Sequence, residues 1–329
     1  MLENIFHTSS FHSSGFEVYY ADDVLSSPVQ NKRSKQVTRE LKNYIINDAS
    51  VRAGEGAFHD GDGNLIDLSM YLLKKEDLTP KDVIHHYLEK DKGMAFIAFN
   101  AGWRNYYHSL TQGFFSAWLI KHFFSEISGT FVFPDQSGWR MRYLELLDCT
   151  NNLFTCHKNA VVKMPKAMLI SSTYKDTYHP SPLLRDYGEH LVARITSNHP
   201  SYKNIYISRK DSGNRVMLNE DSVESFFKTK GYHVISLSGL SVDDQILIFN
   251  GAEKIVAPHG AGLSNIIFCK KGTKVLEFSF EGYNNPCFIR IAQAINLDYH
   301  VHYSRGELTT GSQKTSVWTC NLSNLPDWI

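Results

Sequence analysis

The second half of the chain alternates short apolar runs with amphipathic stretches. Runs such as Asn204–Ser208 have strand length, whereas Val242–Gly251 carries its apolar residues at helical spacing. The predicted strands are Ala167–Ile170, Asn204–Ser208, Tyr232–Leu237, Lys254–Ala257, Lys274–Phe278 and Asp298–Tyr303. The predicted helices are Pro182–Ser197, Ser222–Gly231, Val242–Gly251, Leu263–Phe268 and Pro286–Ile295. Strands that alternate with helices predict a parallel sheet with helices on both faces.

The first half of the chain has a weaker pattern. It predicts strands at Met94–Phe99 and Thr130–Phe133, helices at Lys81–Lys90, Asn105–Phe124 and Trp139–Leu147, and a hairpin around the glycine-rich turn of Ala57–Leu68. Together the halves predict an α/β protein of two domains, residues 1–165 and 166–329.

Composition narrows the class of protein. The chain has 329 residues, 34 basic and 34 acidic, so it lacks the basic excess that nucleic-acid binding requires. Its start lacks the pattern of a secretory signal, and its five cysteines are scattered without C-x-x-C spacing. We therefore expect a cytoplasmic protein with reduced thiols, without nucleic-acid partners.

The strongest local feature is the segment Ile255-Val-Ala-Pro-His-Gly-Ala-Gly-Leu-Ser-Asn265. A strand passes through a Gly-x-Gly turn into a helix, whose first N–H groups and dipole favour an anion such as a diphosphate. The third glycine of the dinucleotide fingerprint is absent, because position 265 is asparagine. A tight strand-to-helix turn without a ligand is the alternative interpretation.

A second feature follows the strand Asn204–Ser208. Ser208 and Arg209 lie at its carboxyl end, the edge where open α/β sheets bind ligands, and Arg215 adds another cation. An arginine can donate two hydrogen bonds to phosphate oxygens. Surface salt bridges are the alternative role for both arginines.

These segments together resemble the family 61 glycosyltransferases over roughly residues 204–280. The residues that carry the resemblance are Ser208, Arg209, Arg215, Asn219, Glu220, Gln245, Pro258, His259, Gly260, Ala261, Gly262, Leu263, Asn265, Phe268, Val275 and Glu277. A weaker similarity covers Asn105-Tyr-Tyr-His-Ser-Leu110.

The resemblance implies a GT-B-like fold, with two facing Rossmann-like domains. It implies an inverting glycosyltransferase that moves a sugar from a nucleotide-diphosphate sugar, with a UDP-sugar favoured, to a glycan or lipid-linked saccharide acceptor. The bacterial members of the family act in capsule and lipopolysaccharide biosynthesis, so peripheral association with the inner membrane face is an accompanying expectation. Residues 1–165 would serve the acceptor and residues 166–329 the donor.

The resemblance also implies roles for individual residues. The implied donor-binding residues are Ser208, Arg209, Arg215, Asn219, Glu220, Pro258, His259, Gly260, Ala261, Gly262, Leu263, Asn265 and Glu277. Among them Arg209 and the segment from His259 to Leu263 would hold the diphosphate. Glu277 would bond ribose or sugar hydroxyls, or else form an ion pair behind the site.

Inverting transfer needs a base for the acceptor hydroxyl. His108 is our candidate, and a structural histidine is the alternative. The family often has an acidic residue four positions later, where this chain has Gln112, so either His108 acts alone or a carboxylate such as Asp60 or Asp62 replaces it. The neighbouring Trp103 and Tyr107 are candidate acceptor contacts, with a core role as the alternative.

Asp60-Gly-Asp62 also has the form of a metal-binding D-x-D pair, but its glycines favour a hairpin turn. GT-B enzymes usually act without a metal, so we expect neither a metal nor a cofactor. Two other functions stay open: a catalytically inactive relative that binds a glycan or a partner, and a nucleotide-dependent oxidoreductase.

Overall fold

The computed structural model divides the chain into two units by its contacts. The first unit comprises residues 1–10 and 38–187, and the second comprises residues 11–37 and 188–329. The described residues are 2–13, 15–24, 35–66, 84–89, 92–134, 138–171, 180–197, 200–307 and 316–329.

The first unit contains an eight-stranded mixed sheet. Its strands are β1 (Leu2–Ser13), β3 (Lys35–Arg52), β4 (Ala57–His59), β5 (Ile84–Tyr87), β6 (Met94–Ile97), β7 (Gly129–Pro134), β8 (Leu153–Cys156) and β9 (Ala160–Ile170). The main order is β1-β3-β9-β6-β7-β8, with β4 beside β3 and β5 beside β9. β6, β7, β8 and the end of β9 pair in parallel, whereas β3 is antiparallel to β9.

The helices of the first unit follow the parallel strands. They are α1 (Tyr106–His108), a π-helical segment Ser109–Phe114, α2 (Phe115–Phe123), α3 (Trp139–Leu146) and the 3-10 turn Thr150–Asn152. Gly113 allows the π-helical segment to pack closely on the chain after β6, since a Cβ there would lie 2.7 Å from the Ala98 carbonyl oxygen. A further helix, α4 (Leu184–Ala193), contains the transition from one unit to the next.

The second unit contains a six-stranded parallel sheet. Its strands are β2 (Glu17–Tyr20), β10 (Asn204–Ser208), β12 (His233–Ser236), β13 (Lys254–Pro258), β14 (Lys274–Phe280) and β15 (Asp298–Ser304). Their order is β12-β10-β13-β14-β15-β2, and every pair is parallel. The connecting helices are α5 (Glu220–Thr229), α6 (Val242–Gly251), the 3-10 helix Ala261–Phe268 and α7 (Cys287–Ile295).

The end of the chain packs on this second unit. Three short strands, β11 (Val216–Met217), β16 (Gly306–Glu307) and β17 (Val317–Trp318), form a small separate sheet. Trp318 stacks on Phe280 with ring centroids 5.6 Å apart, and the Trp328 carbonyl accepts a hydrogen bond from Lys254 at 2.7 Å. None of the helices that the structure describes is long and apolar enough to cross a membrane.

The predicted α/β organisation with parallel strands is confirmed, with two corrections. Residues 84–87 form strand β5 rather than part of a helix; the rest of the predicted helix, apart from residues 88 and 89, lies outside the described residues. The first sheet is mixed, because the long β3 pairs antiparallel to β9. By contacts the first unit ends at Tyr187, and residue 165, the end of the first predicted domain, lies inside β9.

Candidate functional site

The strand order of the second unit creates a crevice at one point of its sheet. From β10 the chain goes to β12 on one side, and it then crosses to β13 on the other side of β10. Helices that leave the two neighbouring strands therefore lie on opposite faces, and ligands of open α/β sheets bind at the carboxyl ends of such strands. Here those ends are Ser208 and Pro258.

Arg209 follows β10 directly and connects the two strand ends. Its guanidinium donates to the His259 carbonyl oxygen and to Ser212 Oγ, the latter at 2.7 Å. Burial, together with the positive charge of Arg215, lowers the pKa of Arg209 to about 10, so it stays charged at neutral pH. Arg209 is therefore a partly buried cation that hydrogen bonds fix in position at the crevice.

Glu220 supports Arg209 from behind. Its Oε1 accepts the Arg209 backbone N–H at 2.7 Å and the Tyr206 hydroxyl at 3.4 Å. Glu220 is buried, and that burial raises the pKa of its carboxyl group. These contacts give Glu220 a role in shaping the turn after β10.

His259 and Glu277 form a buried pair on neighbouring strand ends. His259 Nδ1 bonds to one carboxylate oxygen of Glu277, and the Tyr299 hydroxyl donates to the other at 2.7 Å. Because a carboxylate only accepts, His259 Nδ1 carries the hydrogen. Both carboxylate oxygens of Glu277 therefore have partners within the protein.

The Gly-Ala-Gly turn begins the 3-10 helix Ala261–Phe268. The first N–H groups of a helix have no acceptor within the helix, so they are available to an anion. Gly260 lies under Arg209, where an added Cβ would be 2.5 Å from Nε, and Gly262 lies against Leu237, 2.6 Å from an added Cβ. Both glycines therefore make room for side chains of the site, and Gly260 does so for its cation.

Arg215 is the second cation and sits in a strained conformation. Its φ of 54° is unusual for a residue with a side chain. Its guanidinium carbon lies 5.1 Å from the centre of the Tyr283 ring, and its Nε is buried without a hydrogen-bond partner among the described residues. Strain and an unpaired buried donor are typical of a position held for binding.

Two of the predicted donor-binding residues make side-chain hydrogen bonds within the second unit. Both ends of the Asn219 amide bond the backbone of Cys320, at 2.8 and 2.9 Å, and so attach the chain end to this unit. Asn265 is fully buried and donates to Gln245 Oε1 at 3.2 Å, which ties the 3-10 helix to α6. The remaining members, which line the strand ends and the turn, are Ser208, Pro258, Ala261 and Leu263.

His108 lies in the first unit, in a comparable position of its own sheet. From β6 the chain goes to β7 on one side, and β9 pairs on the other side of β6. The segment after β6 leads through a turn to His108, whose Nδ1 bonds Gln112 Oε1 at 2.8 Å. Burial lowers the pKa of His108, while the Gln112 hydrogen bond raises it in part. A neutral imidazole is the form that a base requires.

The other candidates of the first unit occupy structural positions. Trp103 and Tyr107 are buried, and Trp103 donates to the Gly54 carbonyl at 3.3 Å. The Asp60 carboxylate accepts the backbone N–H groups of Asp62 at 3.0 Å and Asn64 at 2.9 Å, so it closes the predicted hairpin turn. The Asn64 hydrogen bonds lower the pKa of Asp60, which makes it a weak proton acceptor.

The described part of the chain contains no group of three or more His, Cys, Asp or Glu side chains placed to hold a metal ion. Within the D-x-D pair, both carboxylate oxygens of Asp60 accept hydrogen bonds from residues of the same turn.

Two contributors to the site escaped the sequence analysis. Tyr299 supports Glu277, and Tyr283 lies 4.8 Å from the His259 ring as well as beneath Arg215. Tyr299 lies in a predicted strand that pairs in parallel with the strand of Glu277, and this pairing is the feature from which its position could be predicted. Tyr283 lies in a loop, where no periodic pattern singles out a residue.

One comparison with known proteins bears on this site. The family model described as Glycosyltransferase 61 matches residues 106–276, more than half of the 329-residue chain. The match begins just before His108 and ends at the residue before Glu277. No curated protein sequence matches the chain.

Proposed function

The chain belongs to the family 61 glycosyltransferases, and on that premise we propose that it transfers a sugar with inversion from a nucleotide-diphosphate sugar to a glycan acceptor. The observation that carries this proposal is the arrangement at the β10–β13 crevice. There Arg209 bridges two strand ends beside His259 and the first turn of a helix. Such a cation with adjacent N–H groups matches the charge of a diphosphate.

Inversion proceeds by one in-line displacement. The acceptor O–H bond breaks and its proton goes to the base, while the acceptor oxygen bonds the anomeric carbon. The bond from that carbon to the diphosphate breaks, and its electron pair leaves with the diphosphate. In this proposal Arg209, Arg215 and the N–H groups at Ala261 stabilise the charge that develops on this leaving group, and the hydrogen bonds that hold Arg209 at the crevice support it.

We assign the base role to His108. It is partly buried, its pKa is lowered by that burial, and it lies in α1, the first helix after strand β6 of the first unit. A GT-B-like fold is part of the same proposal. Asp60 is the weaker candidate, because its carboxylate already accepts hydrogen bonds from its own turn.

The proposal includes a metal-independent reaction. The cations named above and the helix N-terminus offer the positive potential that a metal would otherwise supply. We further propose a UDP-sugar as the donor, a bacterial surface polysaccharide or its lipid-linked precursor as the acceptor, and a cytoplasmic site of action at the inner membrane face. These finer assignments follow the family resemblance.

A thermal-shift experiment tests the donor site first. UDP, GDP, CDP, CMP and NAD are each added to the purified protein, with Mn²⁺ or with EDTA. We expect one nucleoside diphosphate to raise the melting temperature to the same extent in EDTA. A response to NAD alone would favour an oxidoreductase, and no response to any nucleotide would favour a protein that only binds a glycan or a partner.

Substitutions then assign the residues. Arg209→Ala should abolish the nucleotide-dependent shift, whereas Lys228→Ala, which removes an exposed cation from α5, should keep it. His108→Ala should keep nucleotide binding and lose sugar transfer. Normal transfer by the His108 variant would remove that residue from the base role and leave the donor site intact.

A further inference from the structure

The side chain of Gln112 joins two polar groups in the interior of the first unit. Its Oε1 lies 2.7 Å from Asn100 Nδ2 and 2.8 Å from His108 Nδ1. Gln112 is 2% exposed and lies four residues after His108, within the π-helical segment. The contact is therefore sheltered from water, which would otherwise compete for these hydrogen bonds.

The direction of each hydrogen bond follows from a backbone group. The Gly102 N–H, which can only donate, bonds Asn100 Oδ1 at 2.9 Å. Asn100 thus presents its Nδ2 to Gln112, and Nδ2 can only donate as well. Gln112 must answer with its oxygen, so the hydrogen between Gln112 and His108 belongs to His108 Nδ1.

We propose that Gln112 is a positioning residue that holds the neutral His108 ring in the Nδ1–H tautomer and so places the basic lone pair on Nε2. This inference rests on the proposed function only in the use made of that lone pair, which is to take the acceptor hydroxyl proton. A neutral amide thereby orients the ring.

The unpaired end of the amide supports this assignment. Gln112 Nε2 is buried without a hydrogen-bond partner among the described residues. A flip of the Gln112 amide would not satisfy this donor, because its N–H groups would then face the Nδ2 donor of Asn100. An apolar residue of similar size would avoid this unpaired donor, so the position of the oxygen is what the glutamine contributes.

The missing charge has a further consequence for His108. Burial lowers the pKa of His108, and the hydrogen bond from the uncharged Gln112 raises it in part. A glutamate at position 112 would add a buried negative charge beside Nδ1, which favours the imidazolium. The amide thus orients the ring without placing a charge beside it.

The test is the protonation state of His108 measured by ¹⁵N NMR on histidine-labelled protein, with the signals assigned by their loss in His108→Asn. Protonated and unprotonated ring nitrogens have well-separated shifts. We expect wild-type protein to show a protonated Nδ1 and an unprotonated Nε2. Gln112→Met should lose this preference, and Thr111→Val, which removes a neighbouring buried hydrogen bond at 2.7 Å, should keep it.

Gln112→Glu provides a second measurement if the methionine variant does not fold. It should keep Nδ1 protonated and raise the titration midpoint of His108 by about one unit or more. A protonated Nε2 in the wild type, the same tautomer in Gln112→Met, or an unchanged midpoint in Gln112→Glu would each overturn the inference. No substrate is needed, so a failure here leaves sugar transfer standing, and absent nucleotide binding leaves the tautomer standing.

Discussion

Gly260→Ala isolates the contribution of the Arg209 guanidinium to donor binding. The backbone at Gly260 is extended, with a φ of −175°, so alanine adopts it without strain. The new Cβ would lie 2.5 Å from Arg209 Nε and 2.6 Å from Cζ. Because the added Cβ would overlap the guanidinium atoms at this distance, the guanidinium must move by about 1 Å to reach ordinary van der Waals contact.

That displacement separates Arg209 from its acceptors. The bonds to the His259 carbonyl and to Ser212 Oγ hold the guanidinium where a diphosphate would meet it. A charge-assisted hydrogen bond contributes about 1.5–3 kcal/mol. Losing one such bond to the ligand corresponds to a fall in affinity of roughly 10- to 100-fold, at about 1.4 kcal/mol for each factor of ten.

The stability of the protein should fall as well. Because the displaced guanidinium loses charge-assisted hydrogen bonds within the protein, we expect the free energy of unfolding to fall by about 1.5–3 kcal/mol. Calorimetric titration with the nucleoside diphosphate that shifts the wild-type melting temperature most gives the affinity, and urea unfolding gives the stability.

Gly213→Ala is the matched control. It makes the same substitution in the neighbouring turn, where an added Cβ meets nothing within 4 Å. We expect wild-type affinity from this variant. Wild-type affinity in Gly260→Ala as well would refute the role of Arg209, and an equal loss in both variants would attribute the effect to the turn instead.

Glu277→Ala leaves His259 and Tyr299 buried without their shared acceptor, so it should destabilise the protein by about 3–5 kcal/mol in urea unfolding; a change below about 1 kcal/mol would contradict the buried pair. Burial lowers the pKa of His108, His300 and His302 in the folded protein, so below about pH 6.5 the unfolded chain binds more protons than the folded one. The urea concentration at the unfolding midpoint should therefore decrease when the pH is lowered from about 7.5 to about 5.5. A constant midpoint would argue against these burials. All five cysteines are free and buried, so a thiol reagent should label none in the native protein and five in urea; rapid native labelling would contradict this.

The second half of the fold could be predicted closely because each element carries its own signal. The strand Asn204–Ser208 and the helix Val242–Gly251 have the predicted bounds. Both are short, strongly patterned and bounded by turn residues, so local propensity and tertiary burial agree. The strand order follows from no local signal, and it is this order that brings Ser208 and Pro258 together.

The first half was harder because its strands depend on distant partners. The 18-residue β3 has little alternation, and it pairs with β9 more than a hundred residues later. Residues 84–87 have helix-compatible composition, yet they extend because β9 offers an edge for pairing. The same holds for the candidate site. Sequence motifs single out Arg209 and His259, whereas the Asn100–Gln112 contact joins residues that no motif connects.

The position of strand β2 near the start of the chain affects both the synthesis of this protein and the design of chimeras from it. Residues 17–20 form the edge of the second unit's sheet beside β15, which is residues 298–304. During translation, at about 5–20 residues per second, β2 emerges on the order of tens of seconds before its partner strand exists. A chimera that exchanges the second unit between relatives must therefore carry residues 11–37 along with residues 188–329, because a graft of the later segment alone would leave β15 with a foreign neighbour or an open edge.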